Sequence, residues 1–153
     1  MALYRNYTVA NAVAFNGTTF ACISVIVFLA ASQPFYLSQV LGLSGDSGIG
    51  SIIGTLGFLD ECIVLTTAPL VGALSDEITG SGLASGVRVV VTAGFAVIGI
   101  SLVSYALIVS SLFKAYLARA VFALGVGSVM TMATVMFTEI SNSDFSLSRK
   151  SNG

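Results

Sequence analysis

The stretch Val89–Leu112, VVVTAGFAVIGISLVSYALIVSSL, has no charged side chain and is long enough to cross a lipid bilayer as one helix. The same character extends along the 153-residue chain, because hydrophobic residues make up 56% of it and charged residues only 8%. A soluble domain carries about 25% charged residues, since its surface faces water. The composition therefore excludes a soluble fold and predicts an integral membrane protein.

Three further apolar stretches predict an all-α membrane protein with four transmembrane helices. The predicted helices cover residues 15–40, 49–75, 88–112 and 115–138. We interpret residues 1–14 as a short cytoplasmic N-terminus and residues 15–140 as the membrane domain. The polar, serine-rich residues 141–153 (SNSDFSLSRKSNG) are predicted to be a disordered tail. Residues 43–48 (LSGDSG) and 79–86 (TGSGLASG) have the glycine and serine content of loops.

Basic residues predict how these helices are oriented. With the N-terminus in the cytoplasm, Lys114 is the one basic residue that falls in an external loop. The cytoplasmic segments then carry four basic residues: Arg5, Arg88, Arg149 and Lys150. The positive-inside rule therefore predicts that both termini are cytoplasmic, in a membrane that the sequence does not identify. A cleaved secretory signal is the alternative for the first span, because Ala30-Ala31-Ser32 follows an apolar stretch led by Arg5.

Several function classes find no support in the composition. A net charge of −1 offers no basic surface for nucleic acid. The chain has no histidine, the commonest metal ligand and general base, so we predict neither an enzyme nor a metal or cofactor site. Cys22 and Cys62 lie in apolar stretches and indicate neither a disulfide framework nor a zinc site. Serine and threonine hydroxyls in the second and fourth spans can bind a solute, but such groups more often bond back to their own helix.

Three ionisable residues lie inside the predicted spans: Asp60 and Glu61 in the second and Arg119 in the fourth. Placing one such charged side chain at the centre of a membrane helix costs roughly 2.5–3.5 kcal/mol of insertion free energy. From the helical rise, Asp60 lies about 24 Å and Arg119 about 30 Å from the cytoplasmic ends of their helices, so Arg119 can reach an acid by snorkelling. Adjacent helical positions point about 100° apart, so at most one acid faces Arg119 squarely. Two interpretations stay open: charges in the outer headgroup layer, or a buried charge network beside a translocation path.

The end of the second span carries a motif that composition does not explain. Gly72-Ala73-Leu74-Ser75-Asp76, followed by Gly86-Val87-Arg88, resembles the loop motif G-x-L-x-D-x-x-G-R between helices two and three of the major facilitator superfamily. Residues 117–125 (LARAVFALG) are similar to the second motif of that family, an arginine followed by glycines. The resemblance is to a poorly characterised, fungal-type group of the family and covers about residues 15–141.

The resemblance implies a secondary transporter that moves a small solute across a lipid bilayer by alternating access, in some members with proton coupling. It implies conformational roles for Gly72, Asp76 and Arg88. Arg119 corresponds to the arginine of the fourth helix that is implicated in proton coupling. The fold that the resemblance implies is the first part of the N-terminal lobe of such a transporter.

The predicted helix number bears on what the chain can do alone. Members of the family have about twelve helices in two lobes, and four helices supply only part of one lobe. We therefore expect an incomplete portion, inactive by itself, whose partners are the missing transporter helices or an unknown membrane protein. A truncated gene model, a splice product or a real short protein each accounts for such a chain. The competing hypothesis is a self-contained four-helix membrane scaffold or partner-binding protein, although the external loops are very short and lack cysteine.

Overall fold

The structure is a computed structural model of the 153-residue chain. It describes the backbone of residues 9–39, 42, 46–82, 85–107 and 111–151. Four helices make up the described part: α1 (Val9–Gln39), α2 (Asp46–Gly80), α3 (Gly86–Leu107) and α4 (Leu112–Ser151). Each is long and apolar enough to cross a membrane, which confirms the prediction of an all-α chain with four such helices.

The helix boundaries differ from the predicted ones where polar residues continue a helix. α1 begins at Val9 within the predicted N-terminal segment, and α2 runs to Gly80, beyond the predicted end at Ser75. Polar and small side chains at a helix end are solvated, so they do not stop the helix as an apolar-length criterion assumes. The predicted loop at 79–86 is correspondingly shorter, with a turn at Ser81 and Gly82.

The predicted end of the third helix at residue 112 is wrong. α3 ends at Leu107, and Leu112 already begins α4. Residues 108–110, which the prediction also assigns to the third helix, lie outside the described residues. Hydropathy does not mark the start of α4, because Leu112 is as apolar as Leu107 at the end of α3.

The segment predicted as a disordered tail also differs from the structure. α4 continues to Ser151 instead of ending near Thr138. No glycine or proline occurs between Gly127 and Gly153, so this stretch lacks the residues that most strongly end a helix. The polar extension reaches about 20 Å beyond the apolar part of α4.

The helices form a bundle around α4. α4 contacts each of the other three helices, packs most extensively on α3, and meets α1 over fewer residues. The main core is made of buried residues from α1, α3 and α4: Cys22, Leu29, Ile98, Tyr105, Ala115, Ala118, Phe122 and Val129. A second cluster of Val71, Val90 and Met132 joins α2, α3 and α4 nearer the junction between α2 and α3.

Glycines bring α3 and α4 into close contact. A Cβ atom on Gly125 of α4 would lie 2.9 Å from the carbonyl oxygen of Gly94 on α3 and 2.8 Å from Cγ1 of Ile98. Small residues at both positions therefore let the two backbones approach as they do in tightly packed membrane helices. The Gly50 and Gly54 pair of α2, in contrast, has nothing within 4 Å among the described residues.

Candidate functional site

A buried ion pair joins α2 to α4. The Nε atom of Arg119 donates a hydrogen bond to Oδ2 of Asp60 over 2.6 Å. The two side chains are only 8% and 17% exposed, so the pair lies inside the bundle and not on its lipid-facing surface. The guanidinium carbon of Arg119 also lies 5.5 Å from the ring centroid of Phe122, within cation–π range.

Of the two adjacent acids, the structure brings only Asp60 to Arg119. Glu61 is exposed on the next position of the helix, as the 100° rotation between neighbours requires. Next to Arg119 in sequence, the carbonyl oxygen of Ala118 accepts a hydrogen bond from Oγ of Ser101 on α3 over 2.7 Å. This bond joins α3 to α4 at the residue before Arg119.

The ion pair lies within the bundle and away from the helix ends. Arg119 is about 10 Å along α4 from Leu112, and Ser101 is about 9 Å from the end of α3. Phe15 on α1 packs on Phe137 of α4, with ring centroids 6.4 Å apart, at the opposite end of the bundle. α1 and α4 therefore run in opposite directions, and the pair lies nearer the end of the bundle that holds Leu107 of α3 and Leu112 of α4.

Two tyrosines extend the polar region toward α1. The hydroxyl of Tyr36 donates to the carbonyl oxygen of Tyr105 over 3.0 Å, and the two ring centroids are 4.5 Å apart. Tyr105 lies one turn after Ser101 on α3 and packs in the same buried cluster as Ala118, the residue before Arg119. Sequence reasoning missed these tyrosines because aromatic residues are common in membrane helices. The signal available was a polar side chain in an otherwise apolar span.

The residues of the predicted loop motif do not form a cluster. Asp76 and Arg88 are exposed and make no salt bridge to each other, and Gly72 has nothing within 4 Å among the described residues. The contact between α2 and α3 is made instead by Thr79, whose Oγ1 donates to the carbonyl of Ser75 and accepts the N–H of Gly86. A Cβ atom on Gly86 would overlap the carbonyl oxygen of Ser75, so this junction requires glycine.

Arg88 lies in an open groove of about 460 Å³ on α3. The groove is lined by residues of this one helix: Arg88, Val89, Thr92, Ala93 and Ala96. Since no second helix forms a wall, the groove is a surface feature of the bundle and does not enclose a ligand.

Hydroxyl groups of α2 and α4 bond back to their own helices. Each donates to a carbonyl one turn earlier: Thr66 to Cys62, Ser128 to Leu124, Thr131 to Gly127 and Thr134 to Met130. These groups are thus already satisfied and contribute little to a binding site. Within the described ranges, no three acidic or thiol side chains come together as metal ligands.

The four apolar helices and the ion pair between them define a multi-pass integral membrane protein. The chain matches no protein-family model, and no curated protein or solved structure shows significant similarity to it. The transporter family that the sequence motifs indicate therefore stays a prediction.

Proposed function

We propose that the chain is the first part of the N-terminal lobe of a major facilitator-type secondary transporter that moves a small solute. The observation that carries this proposal is the buried ion pair between Arg119 and Asp60. Burying two charges costs desolvation energy that apolar packing avoids, so stability alone is a weak reason for such a pair. Ionisable groups inside a membrane bundle are typical of substrate, ion or proton pathways.

The pair offers a physical basis for coupling. Asp60 is the proposed proton acceptor: ionised, it holds Arg119 and thereby ties α2 to α4, and protonated, it loses most of that attraction. Gly72, Asp76 and Arg88 are proposed to act at the α2–α3 turn as that contact changes. Glu61, on the outer side of α2, has no role in this step.

Alternating access needs two lobes around a site near the middle of the membrane. Four helices are only part of one lobe. We therefore expect the native product to contain further helices, and residues 1–153 to be inactive by themselves. Long-read sequencing of the transcript, with a blot for the native protein, tests this expectation. The expected product is several times larger than 15.7 kDa, and a stable membrane product near 15.7 kDa would contradict the proposal.

Transport by the native product is the direct test. In membrane vesicles with an imposed pH gradient, Asp60→Asn is expected to remove the dependence of solute uptake on the gradient. Glu61→Gln is the matched control, because it neutralises the neighbouring acid that does not contact Arg119. If the two variants have equal effects on uptake, a specific role of the ion pair in transport is contradicted.

The alternative is a self-contained four-helix membrane scaffold that binds a partner. The observation that favours it is the contact of α4 with all three other helices, by which the described chain already forms a packed bundle. A stable 15.7 kDa product that co-purifies with one membrane protein in fixed ratio would favour this function over transport.

A further inference from the structure

Each of the four helices contributes one polar side chain with an inward, unpartnered atom. Gln33 of α1, Tyr105 of α3 and Arg119 of α4 are more than nine-tenths buried, with 4%, 7% and 6% exposure. The fourth is Asp60 of α2, whose side chain is 17% exposed. In the part of the chain that the structure describes, Nε2 of Gln33, Oδ1 of Asp60, the Tyr105 hydroxyl and Nη1 of Arg119 are buried without a hydrogen-bond partner.

These four groups belong to one region of the bundle. Asp60 and Arg119 form the ion pair, and Tyr105 packs in one buried cluster with Ala118 and Phe122, which flank Arg119 on α4. Gln33 lies one turn before Tyr36 on α1, and Tyr36 contacts Tyr105 through its ring and its hydroxyl. Gln33 is about 9 Å from the end of α1, and Arg119 about 10 Å from the start of α4, so both lie at a similar depth.

Buried polar atoms in proteins are almost always hydrogen-bonded, so four unpartnered ones in one region indicate a ligand. Hydrogen-bond donors outnumber acceptors among these atoms. Donors are Gln33 Nε2, Arg119 Nη1 and the Tyr105 hydroxyl, and the acceptor is Asp60 Oδ1. The charges of Asp60 and Arg119 cancel. An anion would be repelled by Asp60 and a cation by Arg119, so an uncharged ligand with several oxygens and at least one hydroxyl hydrogen fits best.

We propose that Gln33, Asp60, Tyr105 and Arg119 form a binding site for a small uncharged polyol. Hydroxyl oxygens of the polyol accept hydrogen bonds from Gln33, Tyr105 and Arg119, and one hydroxyl donates to Asp60. The Tyr36 and Tyr105 rings provide an apolar surface for its C–H groups. Since the atoms are buried, the polyol enters when α1, which meets α4 over fewer residues than α2 or α3 does, moves away from the bundle.

The site rests on the proposed function in that the polyol would be the solute, but binding is measured without transport. The experiment is scintillation-proximity binding of radiolabelled erythritol to the full 153-residue chain in lipid nanodiscs. Saturable binding is expected, displaced by unlabelled sorbitol and not by acetate or tetramethylammonium. Gln33→Leu and Tyr105→Phe are each expected to weaken it at least tenfold.

Matched variants distinguish loss of the binding site from loss of folding. Gln39→Leu is the control for Gln33→Leu, because Gln39 is an exposed glutamine on the same helix. Tyr105→Phe removes one oxygen and keeps the ring, so its folding is checked by elution as a single species. Absence of saturable binding, unchanged binding by Tyr105→Phe, or stronger displacement by acetate than by sorbitol would each overturn the site. If the chain binds the polyol but the native product does not transport it, the binding site is supported and the proposed transport function is contradicted.

Discussion

At the residue scale, two neighbouring carboxylates of α2 have opposite surroundings. Asp60 is buried against Arg119, whereas Glu61 is exposed. A rotation of about 100° between adjacent positions accounts for the difference. A buried pair adds little net stability, but removing one partner leaves the other charge uncompensated in a medium of low polarity.

We therefore expect Asp60→Asn or Arg119→Gln to lower the free energy of unfolding by about 3–5 kcal/mol. Denaturant unfolding of the chain in detergent micelles measures the change. The double variant Asp60→Asn with Arg119→Gln should lose clearly less than the sum of the two single losses, because no charge is then left without a partner.

Glu61→Gln is the control for this prediction, since Glu61 contributes no salt bridge among the described side chains. It should leave the unfolding free energy unchanged or raise it. If Glu61→Gln destabilises the chain as much as Asp60→Asn, the energetic importance of the buried pair is contradicted.

At the element scale, the packing of α3 on α4 depends on the space left by glycine. Gly125 faces the backbone of α3 at the level of Gly94 and Ile98, where a Cβ atom has no room. Gly99, on the same helix as Gly94, has nothing within 4 Å among the described residues. The two positions thus separate a packing effect from a helix-propensity effect.

Gly125→Ala is expected to destabilise the chain by about 1–3 kcal/mol, because the two helices have to move apart. Gly99→Ala should be neutral or slightly stabilising, since alanine is the better helix former. Thermal unfolding in nanodiscs measures both. Equal shifts for the two variants would contradict the close contact between α3 and α4.

The junction between α2 and α3 depends on one hydroxyl group. Oγ1 of Thr79 accepts the N–H of Gly86 at the start of α3, which satisfies a donor that the helix itself cannot. The loop-motif residues Asp76 and Arg88 lie nearby in sequence but are exposed.

We expect Thr79→Val to lower the free energy of unfolding by about 1 kcal/mol, because the N–H of Gly86 in the first turn of α3 then loses its acceptor. Thr92→Val is the matched control, because the Thr92 hydroxyl bonds only to the carbonyl of Arg88 within its own helix. Hydrogen exchange of the first turn of α3 should also accelerate in Thr79→Val. If neither the free energy of unfolding nor the hydrogen exchange changes, the Thr79 hydroxyl does not stabilise the junction between α2 and α3.

At the scale of the whole molecule, the outer surface of the bundle is apolar. Large exposed side chains lie on every helix, among them Phe20, Phe58, Ile100 and Phe113. In water such a surface would aggregate, whereas in a bilayer it contacts lipid tails. The orientation of the bundle in that bilayer is a separate matter, which the basic residues predict.

Labelling with a membrane-impermeant maleimide tests the orientation. In a background of Cys22→Ala and Cys62→Ala, Ser81→Cys lies in the exposed turn after α2 and Ser111→Cys at the exposed start of α4. With cytoplasmic termini, Ser81→Cys should react only after the membrane is opened and Ser111→Cys in intact cells. The reverse pattern would contradict the positive-inside prediction.

The sequence by itself determined the membrane environment, the helical class and the number of long apolar helices. These properties follow from hydropathy, which is a local quantity that adds up along stretches such as 89–112. It also indicated that Arg119 can reach an acid on the second span, since helical rise depends on residue number alone. The start of α4 at Leu112 leaves no such local signal, because Leu112 continues an apolar stretch.

Only the tertiary structure decided which groups meet. The choice of Asp60 over Glu61, the burial of Gln33 and Tyr105, and the exposure of Asp76 and Arg88 depend on how each helix is rotated about its axis. That rotation is set by contacts between helices distant in sequence. On helices that are apolar on every side, no amphipathic pattern records which face will be turned inward.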